Sequence, residues 1–315
     1  GSLWNRLLQF EIDYFYKRTS NILLSRIRSI PGTIGAVLPA ENYAKVDNRG
    51  IEISLTHQNN IGELNYFVKA NASFSKSKVI LLDEPANIPD YLLQTGRPLG
   101  FIVGYQSLGF FQSDEEVQNY LPQFNGGHKA GDVKYADING DKKIDANDRT
   151  IISMDNSTPK ILGGLSFGGS YKGFDLAVLF QGATKMKKLL NGRSKTFFNG
   201  GSHNNFADLL DYWTPENRDA KYPKKKKNQH PNNSLESSLY LRDASYIRLK
   251  SIDLGYTFSK AASGKIGAQL IRVYFSGTNI FLFDKMKMFD PEIENTDGAY
   301  YPQQRTLNLG INLTF

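Results

Sequence analysis

A strict two-residue alternation of apolar and polar side chains constrains this 315-residue chain more than any other feature. Successive side chains of a β-strand point to opposite faces, so this period predicts strands. It is cleanest in TLNLGINLTF (306–315) and recurs in GFDLAVLFQG (173–182) and LIRVYFSG (270–277). One face of the final segment carries Leu307, Leu309, Ile311, Leu313 and Phe315. The chain is therefore predicted to be all-β.

The two faces of these strands differ in chemistry. The apolar face is aliphatic in the middle and aromatic near the ends, whereas the other face carries small and charged residues that suit water better than a dry core. A membrane strand of about ten residues, with lipid outside and water inside, has this pattern. An antiparallel sandwich with one wet face alternates in a similar way, so the pattern alone leaves both architectures open.

The connections between the strands favour the membrane. Short turns at 58–62, 172–173 and 259–267 alternate strictly with long connections, as in outer-membrane barrels. The long connections are predicted at 18–44, 80–159, 183–238 and 283–303. The eight antiparallel strands are predicted near 5–17, 45–57, 63–79, 160–171, 174–182, 246–258, 269–282 and 304–315.

Two segments depart from this scheme. GRPLGFIVGYQSLGFFQ (96–112) has strand character, but a further spanning strand would reverse every strand after it. We therefore predict that it forms a hairpin above the membrane. The predicted strand 246–258 changes parity near Lys250–Ser251, which indicates a β-bulge or a segment above the bilayer.

Nine sequence blocks, in order, resemble the C-terminal part of the SusC-like (SusC/RagA-type) TonB-dependent transporters of the Gram-negative outer membrane. The blocks lie at 10–24, 46–55, 96–112, 131–152, 170–182, 211–223, 240–258, 272–281 and 300–315. The resemblance implies a 22-stranded transmembrane β-barrel, of which residues 1–315 supply about eight C-terminal strands and the long loops 80–159 and 183–238. The plug domain and the N-terminal strands are expected to be absent from this sequence.

The resemblance also implies a function and partners. The whole protein is expected to import glycans or peptides across the cell outer membrane with a SusD-like surface lipoprotein as its lid. TonB would act through the missing N-terminal part, and outer-membrane lipid would surround the barrel. Phe315 would belong to a signal that the barrel-assembly machinery reads. The terminal strand would close the barrel, because an open edge in lipid leaves backbone groups unsatisfied.

DINGDKKIDAND (137–148) is the one segment with metal-ligand spacing. Its potential oxygen ligands to Ca²⁺ are the side chains of Asp137, Asn139, Asp141, Asp145 and Asp148 and the carbonyl of Lys143. The loop departs from the usual pattern with Asp at its last position and Lys142 where glycine is expected. The predicted cofactor is structural calcium, and the alternative is an Asx-rich turn without a metal.

Other candidate features are weaker. Trp213 is predicted to pin the 183–238 loop to the barrel mouth, with stacking on a sugar ring as the alternative. The run Lys224 to Lys227 is interpreted as a solvated, mobile loop, although a patch for nucleic acid, anionic lipid or an acidic ligand has the same composition. The four histidines are far apart in sequence, so they are interpreted as ordinary surface residues.

Catalysis and nucleic-acid binding are not predicted. The chain has no cysteine, and no pair of carboxylates stands out as catalytic. The glycine-rich segment 163–173 lacks the GK[ST] of a phosphate loop. Two classes of function remain: an outer-membrane uptake barrel, or a soluble or cell-surface β-rich binding module with a calcium-stapled loop.

Overall fold

A computed structural model describes residues 1–25, 39–85, 87–198, 204–226 and 229–315. The strands, in chain order, are β1 Ser2–Leu3, β2 Leu8–Ser25, β3 Ala40–Ile61, β4 Leu64–Leu81, β5 Ile102–Tyr105, β6 Ser107–Phe110, β7 Val133–Tyr135, β8 Arg149–Ser153, β9 Ile161–Tyr171, β10 Phe174–Thr184, β11 Lys187–Leu189, β12 Leu241–Asp243, β13 Tyr246–Thr257, β14 Leu270–Asp284 and β15 Thr306–Thr314. The α-helices are α1 Asp114–Asn119 and α2 Lys260–Ser263. Short 3-10 turns lie at Asp90–Leu92, Ala146–Asp148, Gly192–Ser194, Ala207–Leu210, Pro231–Ser234, Ser238–Tyr240 and Gly264–Ile266.

Nine strands of the described residues form one large sheet. Their order is β1-β2-β3-β4-β9-β10-β13-β14-β15, and every neighbouring pair is antiparallel. All eight predicted strands are present in this sheet, so the all-β antiparallel prediction is confirmed. β2 extends to Ser25 and β3 begins at Ala40, so the connection predicted at 18–44 is shorter than expected.

Tight turns join the strands at one end of the sheet. β9 and β10 are joined by Lys172 and Gly173, both with positive φ (48° and 89°), as two-residue hairpin turns require. A Cβ atom on Gly173 would lie 2.6 Å from the carbonyl oxygen of Thr257, so this turn needs glycine. The same end also carries residues 4–7 between β1 and β2, Gly62–Glu63, and the helical segment α2 with Gly264–Ile266.

The predicted β-bulge is present at Lys250. Leu179 pairs with Ser251 and Phe180 pairs with Leu249, so Lys250 has no opposite residue in β10. The register between β13 and β14 shifts at the same place. The extra residue turns Leu249 and Ile247 back to the apolar face, which explains the change of parity in the sequence.

The segment 96–112 was correctly placed outside the large sheet, but it does not form the predicted hairpin. β5 pairs with β8, and β6 pairs with β7, so each half of the segment joins a strand from further along the chain. The reason is that Tyr105 and Phe110 enter a buried cluster that includes Val133, Tyr135 and Ile144. Burial of these rings, rather than local pairing, decides the conformation.

The buried core lies in the long connections rather than on the sheet. One cluster gathers Leu190, Leu209, Tyr222, Tyr240 and neighbouring residues, and the second surrounds Tyr135 and Trp213. The apolar face of the large sheet, by contrast, is exposed along most of its length. Among the described residues, no helix has both the length and the apolar character needed to cross a membrane.

Candidate functional site

The apolar face of the large sheet is a continuous exposed surface. In the terminal strand the five predicted residues are 51–80% exposed, and Phe315 follows directly after the end of β15. Across the strands, Leu309 lies opposite Phe275, and Phe275 lies opposite Leu254. The same face continues through Leu176 on β10. The register therefore joins the separate apolar stripes into one band, as the alternation predicts.

The opposite face carries charged residues that pair across strands. The guanidinium of Arg272 donates to both carboxylate oxygens of Asp175 at 2.8 and 2.6 Å, and it also donates to Asp253. Gly255 lies beside this pair, because a Cβ atom there would be 2.4 Å from Arg272 Nη2. Charged side chains on this face therefore form ion pairs with residues of nearby strands, as expected of a surface turned away from lipid.

A buried ion cluster holds the last long connection against the sheet. Arg248 on β13 is 3% exposed and donates to both carboxylate oxygens of Asp290. Its Nη2 is also 2.8 Å from Glu292. The residues are about 40 positions apart in sequence, with Arg248 and Asp290 separated by 42. No local sequence signal marks this cluster, since its three charged residues lie in two distant segments.

The long connections with their two buried clusters, around Tyr240 and around Tyr135, are called the loop layer below. Trp213 belongs to its core. It is 2% exposed, lies in the cluster with Tyr105 and Tyr135, and its Nε1 is 3.4 Å from Gln112 Oε1. A buried indole cannot stack on a sugar ring without opening this cluster. The preferred interpretation, in which Trp213 pins the 183–238 connection, agrees with its position.

The interpretation of the lysine run as a solvated, mobile loop is wrong for Lys224, Lys225 and Lys226. The ammonium of Lys224 lies over the Trp213 ring at 5.8 Å, and Lys225 lies over two further rings. Lys226 is 3.6 Å from the buried carboxylate of Asp132. The rings that bind these ammonium groups are 11 or more residues earlier, so no aromatic residue stands inside the run. Lys227 lies outside the described residues.

Two more lysines of the same connection are buried. Lys188 donates to the carbonyl of Ile293, and Lys195 donates to the carbonyl of Ser234 at 2.7 Å. Burial lowers the pKa of Lys188 and of Lys195. Several lysines of this connection therefore lie inside the loop layer, where their ammonium groups contact residues of other segments.

Two histidines that are distant in sequence lie against each other in the structure, with their rings tilted by 38°. The rings of His128 and His230 lie 4.2 Å apart, and His128 is 8% exposed. Nε2 of His128 faces the amide nitrogens of Gln123 at 3.0 Å and Asn232 at 3.1 Å. The interpretation of His128 as an ordinary surface residue is therefore wrong, because its ring fills a gap between two connections. His203 lies outside the described residues.

The protonation state of His128 follows from its partners. The amide of Gln123 is oriented by Val133, whose carbonyl accepts from Nε2, and by Tyr135, whose N–H donates to Oε1. An amide nitrogen only donates, so Nε2 of His128 accepts and the ring is neutral. Burial and the neighbouring His230 lower the pKa of His128 to about 4.

The predicted calcium loop is a compact turn held by its own side chains. Asp137 accepts from the N–H groups of Gly140 (2.7 Å) and Lys142 (2.9 Å), and Asp141 accepts from that of Lys143 (2.9 Å). Lys142 has φ of 66°, so it takes the left-handed conformation for which glycine is usual. The backbone at this position thus takes the conformation that the calcium-loop pattern requires, although the residue is Lys142 and not glycine.

The remaining predicted ligands have other partners. Asp148 is fully buried and accepts from Ile138 and Asp145, while Asp145 accepts from Asn147 and pairs with Lys143 Nζ at 3.0 Å. Asn139 Oδ1 accepts from Asp141. In the described parts of the chain, no three histidine, aspartate or glutamate side chains converge as a metal site. Asp148 Oδ1 already accepts from the N–H groups of Ile138 and Asn139, so ligation requires Asp148 to give up a contact and the other side chains to turn towards one point.

Comparison with known proteins places the chain among receptors and importers. A TonB-dependent receptor of Formosa agariphila is 30% identical over all of this chain, and the TonB-dependent receptor SusC of Bacteroides thetaiotaomicron is 23% identical over 96% of it. A structure of the RagAB peptide importer in the 'open-open' state matches the whole chain with a TM-score of 0.75 at 24% identity, which indicates a shared fold. No family model matches the chain.

The matched region is a fraction of each of these proteins. The chain spans 33% of the Formosa receptor, 30% of SusC and 33% of the RagAB chain. The resemblance to SusC-like TonB-dependent receptors that the sequence indicated is confirmed along the chain. TonB-dependent receptors and RagAB are transporters rather than enzymes, and the prediction of a non-enzymatic chain agrees with this similarity.

Proposed function

We propose that this chain forms part of the wall and the outer loop layer of a TonB-dependent importer in the cell outer membrane. The exposed apolar band on one face of the large sheet supports this proposal. Exposure of such a surface to water is unfavourable, whereas contact with lipid is favourable. The paired charges on the other face, such as Arg272 with Asp175, suit the water-filled side of a barrel.

The orientation of the wall follows from the connections. Tight turns lie at one end of the sheet, and the two buried clusters of the loop layer lie among the long connections at the other. Short periplasmic turns and long extracellular loops are typical of outer-membrane barrels. We therefore place Lys172–Gly173 in the periplasm and the Trp213 cluster outside the cell.

The cargo and partners of the whole protein are part of the same proposal. Peptides are supported as cargo by the fold shared with the RagAB peptide importer, and glycans stay the second candidate from the sequence resemblance. A SusD-like lipoprotein would close the extracellular side, and TonB would act on the part of the protein that lies outside this sequence. Calcium is proposed as a structural ion of 137–148, on the strength of its ligand spacing and the φ of Lys142.

Neighbouring residues on the two faces of β15 test the placement in the membrane. The chain has no cysteine, so once any cysteines elsewhere in the full-length receptor are replaced by serine, a single cysteine introduced here is the only thiol. A fluorophore on L309C should be quenched by doxyl-labelled phospholipid and not by iodide, whereas one on N308C should show the reverse. Equal quenching of both positions by iodide would support the alternative, a β-rich binding module outside the membrane.

A further inference from the structure

The apolar outer face of β3 and β4 ends in a cluster of charged side chains. On β4 this face comprises Leu64, Tyr66, Val68, Ala70, Ala72 and Phe74, followed by Lys76 and Lys78. In register, Lys76 lies opposite Arg49, which lies opposite Tyr16. Lys78 lies opposite Asp47, which lies opposite Arg18. We call Arg18, Arg49, Lys76 and Lys78 the outer basic patch; all four side chains are exposed.

The patch lies at the edge of the apolar band. Leu64 to Phe74 covers the length that a tilted strand of about 9–11 residues needs to cross a membrane. The first charged residue of this face, Lys76, lies two positions after Phe74, at the end of the sheet that carries the long connections. In the orientation proposed above, the patch meets the headgroups of the outer leaflet, with the ring of Tyr16 at the boundary as in an aromatic belt.

The charges of the patch are not balanced within the described residues. Asp47 is already engaged by Arg18, at 2.7 and 2.8 Å, and by the hydroxyl of Tyr16 at 2.8 Å. Four cations against this single anion leave three positive charges. Arg49 and Lys76 lie directly opposite each other, an arrangement that destabilises a sheet when the charges are alike. No ion pair is formed by Arg49, Lys76 or Lys78 in the part of the chain that the structure describes.

The spacing of the patch suits a phosphate group. Neighbouring strands lie about 4.8 Å apart, and residues two positions apart along one strand are separated by roughly 6.6 Å. A phosphate between Arg49, Lys76 and Lys78 can therefore contact two or three cations at once, with the guanidinium able to donate in bidentate fashion. Since the patch continues directly from the lipid-facing band, its anion would come from a membrane lipid.

We propose that the outer basic patch binds the phosphate groups of anionic lipids in the outer leaflet of the membrane. The proposal rests on the function proposed above, because only a lipid-facing sheet brings headgroups to this height. Binding would replace the repulsion between Arg49 and Lys76 with shared contacts to an anion, and would fix the depth of the barrel wall beside β2 to β4.

A local probe tests lipid selection at the patch. Tyr14 is 68% exposed on the same face, one row below Tyr16, so Y14C in the cysteine-free full-length receptor can carry a fluorophore next to the patch. Quenching is measured in vesicles with doxyl-labelled phosphatidylglycerol or doxyl-labelled phosphatidylcholine. We expect the relative association constant to favour phosphatidylglycerol by about fivefold or more, since each basic residue near an anionic surface contributes on that order.

Variants and a second probe position separate the outcomes. R49Q/K76Q/K78Q should bring the preference at Y14C close to one, whereas K17Q/K69Q, on the opposite face, should keep it. A probe on L309C, far from the patch, should show no preference. If both lipids quench Y14C equally in the unsubstituted patch, the patch does not select phosphate and the inference is wrong. If neither lipid quenches Y14C or L309C, the proposed membrane placement itself fails.

Discussion

The guanidinium of Arg248 contacts both carboxylate oxygens of Asp290, at 2.7 and 2.6 Å, and joins the last long connection to β13. Glu292 is the second acidic partner, and Arg248 is almost completely buried. A buried cation that loses a partner costs free energy, because water cannot replace the lost contact. The conformation of the segment between β14 and β15 therefore depends on this cluster.

We predict that D290N loosens the segment 285–305 and lowers the free energy of unfolding by about 1.5–3 kcal/mol, the range for hydrogen bonds to charged groups. Limited proteolysis of intact cells that express the full-length receptor measures the effect directly. E294Q is the matched control, because Glu294 is exposed. Equal protease resistance of the two variants would mean that Asp290 does not hold this segment.

A second prediction concerns Gly255, which lies beside the pair of Arg272 and Asp175. A methyl group at this position would meet Arg272 Nη2 and Asp175 Oδ2 at 2.4 Å. We expect G255A to displace the side chains of Arg272 and Asp175, to weaken their pairing and so to destabilise the barrel by about 1 kcal/mol. G264A is the control, since its methyl group meets nothing within 4 Å. Heat-shift electrophoresis should show a lower transition temperature for G255A alone.

The sequence predicts the large sheet well because each strand carries its own signal. Alternation over ten residues specifies which face of β15 meets lipid, and the parity change at Lys250 specifies the bulge. The loop layer depends on contacts between distant segments, which leave no local pattern. His128 and Asn232 are 104 residues apart, and Val133 and Asn233 are 100 apart. Such pairs appear only once the chain is folded.

The prediction of a solvated lysine run failed for a related reason. Composition gives the charge of Lys224 to Lys226, but the partners of these ammonium groups, Trp213 and Asp132, are set by the fold. The loop 137–148 is an intermediate case. Its turn could be predicted from 12 consecutive residues, whereas the burial of Asp148 depends on how the loop meets its surroundings.

The third prediction concerns pH. In the folded protein the pKa of His128 is about 4, below the ordinary value of 6.5. The unfolded chain therefore binds more protons than the folded chain between these values, and stability falls as pH decreases from 6.5 towards 4. Protonation would set an N–H group against the amide nitrogens of Gln123 and Asn232. Above pH 6.5 this dependence fades, because the histidine of the unfolded chain also loses its proton.

Hydrogen exchange of residues 123–135 in the full-length receptor tests this expectation. Protection should decrease between pH 6.5 and 4.5 and stay level from pH 7 to 8. H128Q provides the control, because its carbonyl oxygen can accept from the same amides and does not titrate. His230, Asp132 and Lys226 are the titratable groups nearby, and all three remain in the variant. The same loss of protection in H128Q would assign the effect to another group.

The last prediction is that calcium orders the loop 137–148. Its carboxylates repel one another when ionised, and the hydrogen bonds to Gly140, Lys142 and Lys143 offset only part of that repulsion. The N–H group of Asn147 and, to a smaller extent, the ammonium group of Lys143 lower the pKa of Asp145. A divalent cation would replace the pairing between Lys143 and Asp145 and draw the carboxylates and the Lys143 carbonyl to about 2.4 Å from one point.

Protease resistance of the loop in the full-length receptor is the measurement. Addition of calcium to chelator-treated protein should slow cleavage within 137–148, and D141A should abolish this response because it removes a ligand near the middle of the loop. D114N is the control, since Asp114 caps the segment at Ala130 and lies outside the loop. Magnesium should protect less, because it demands octahedral geometry that this flexible set of oxygens does not offer. If calcium changes cleavage equally in D141A and in the unmodified protein, the loop is an Asx-rich turn that holds its shape without an ion.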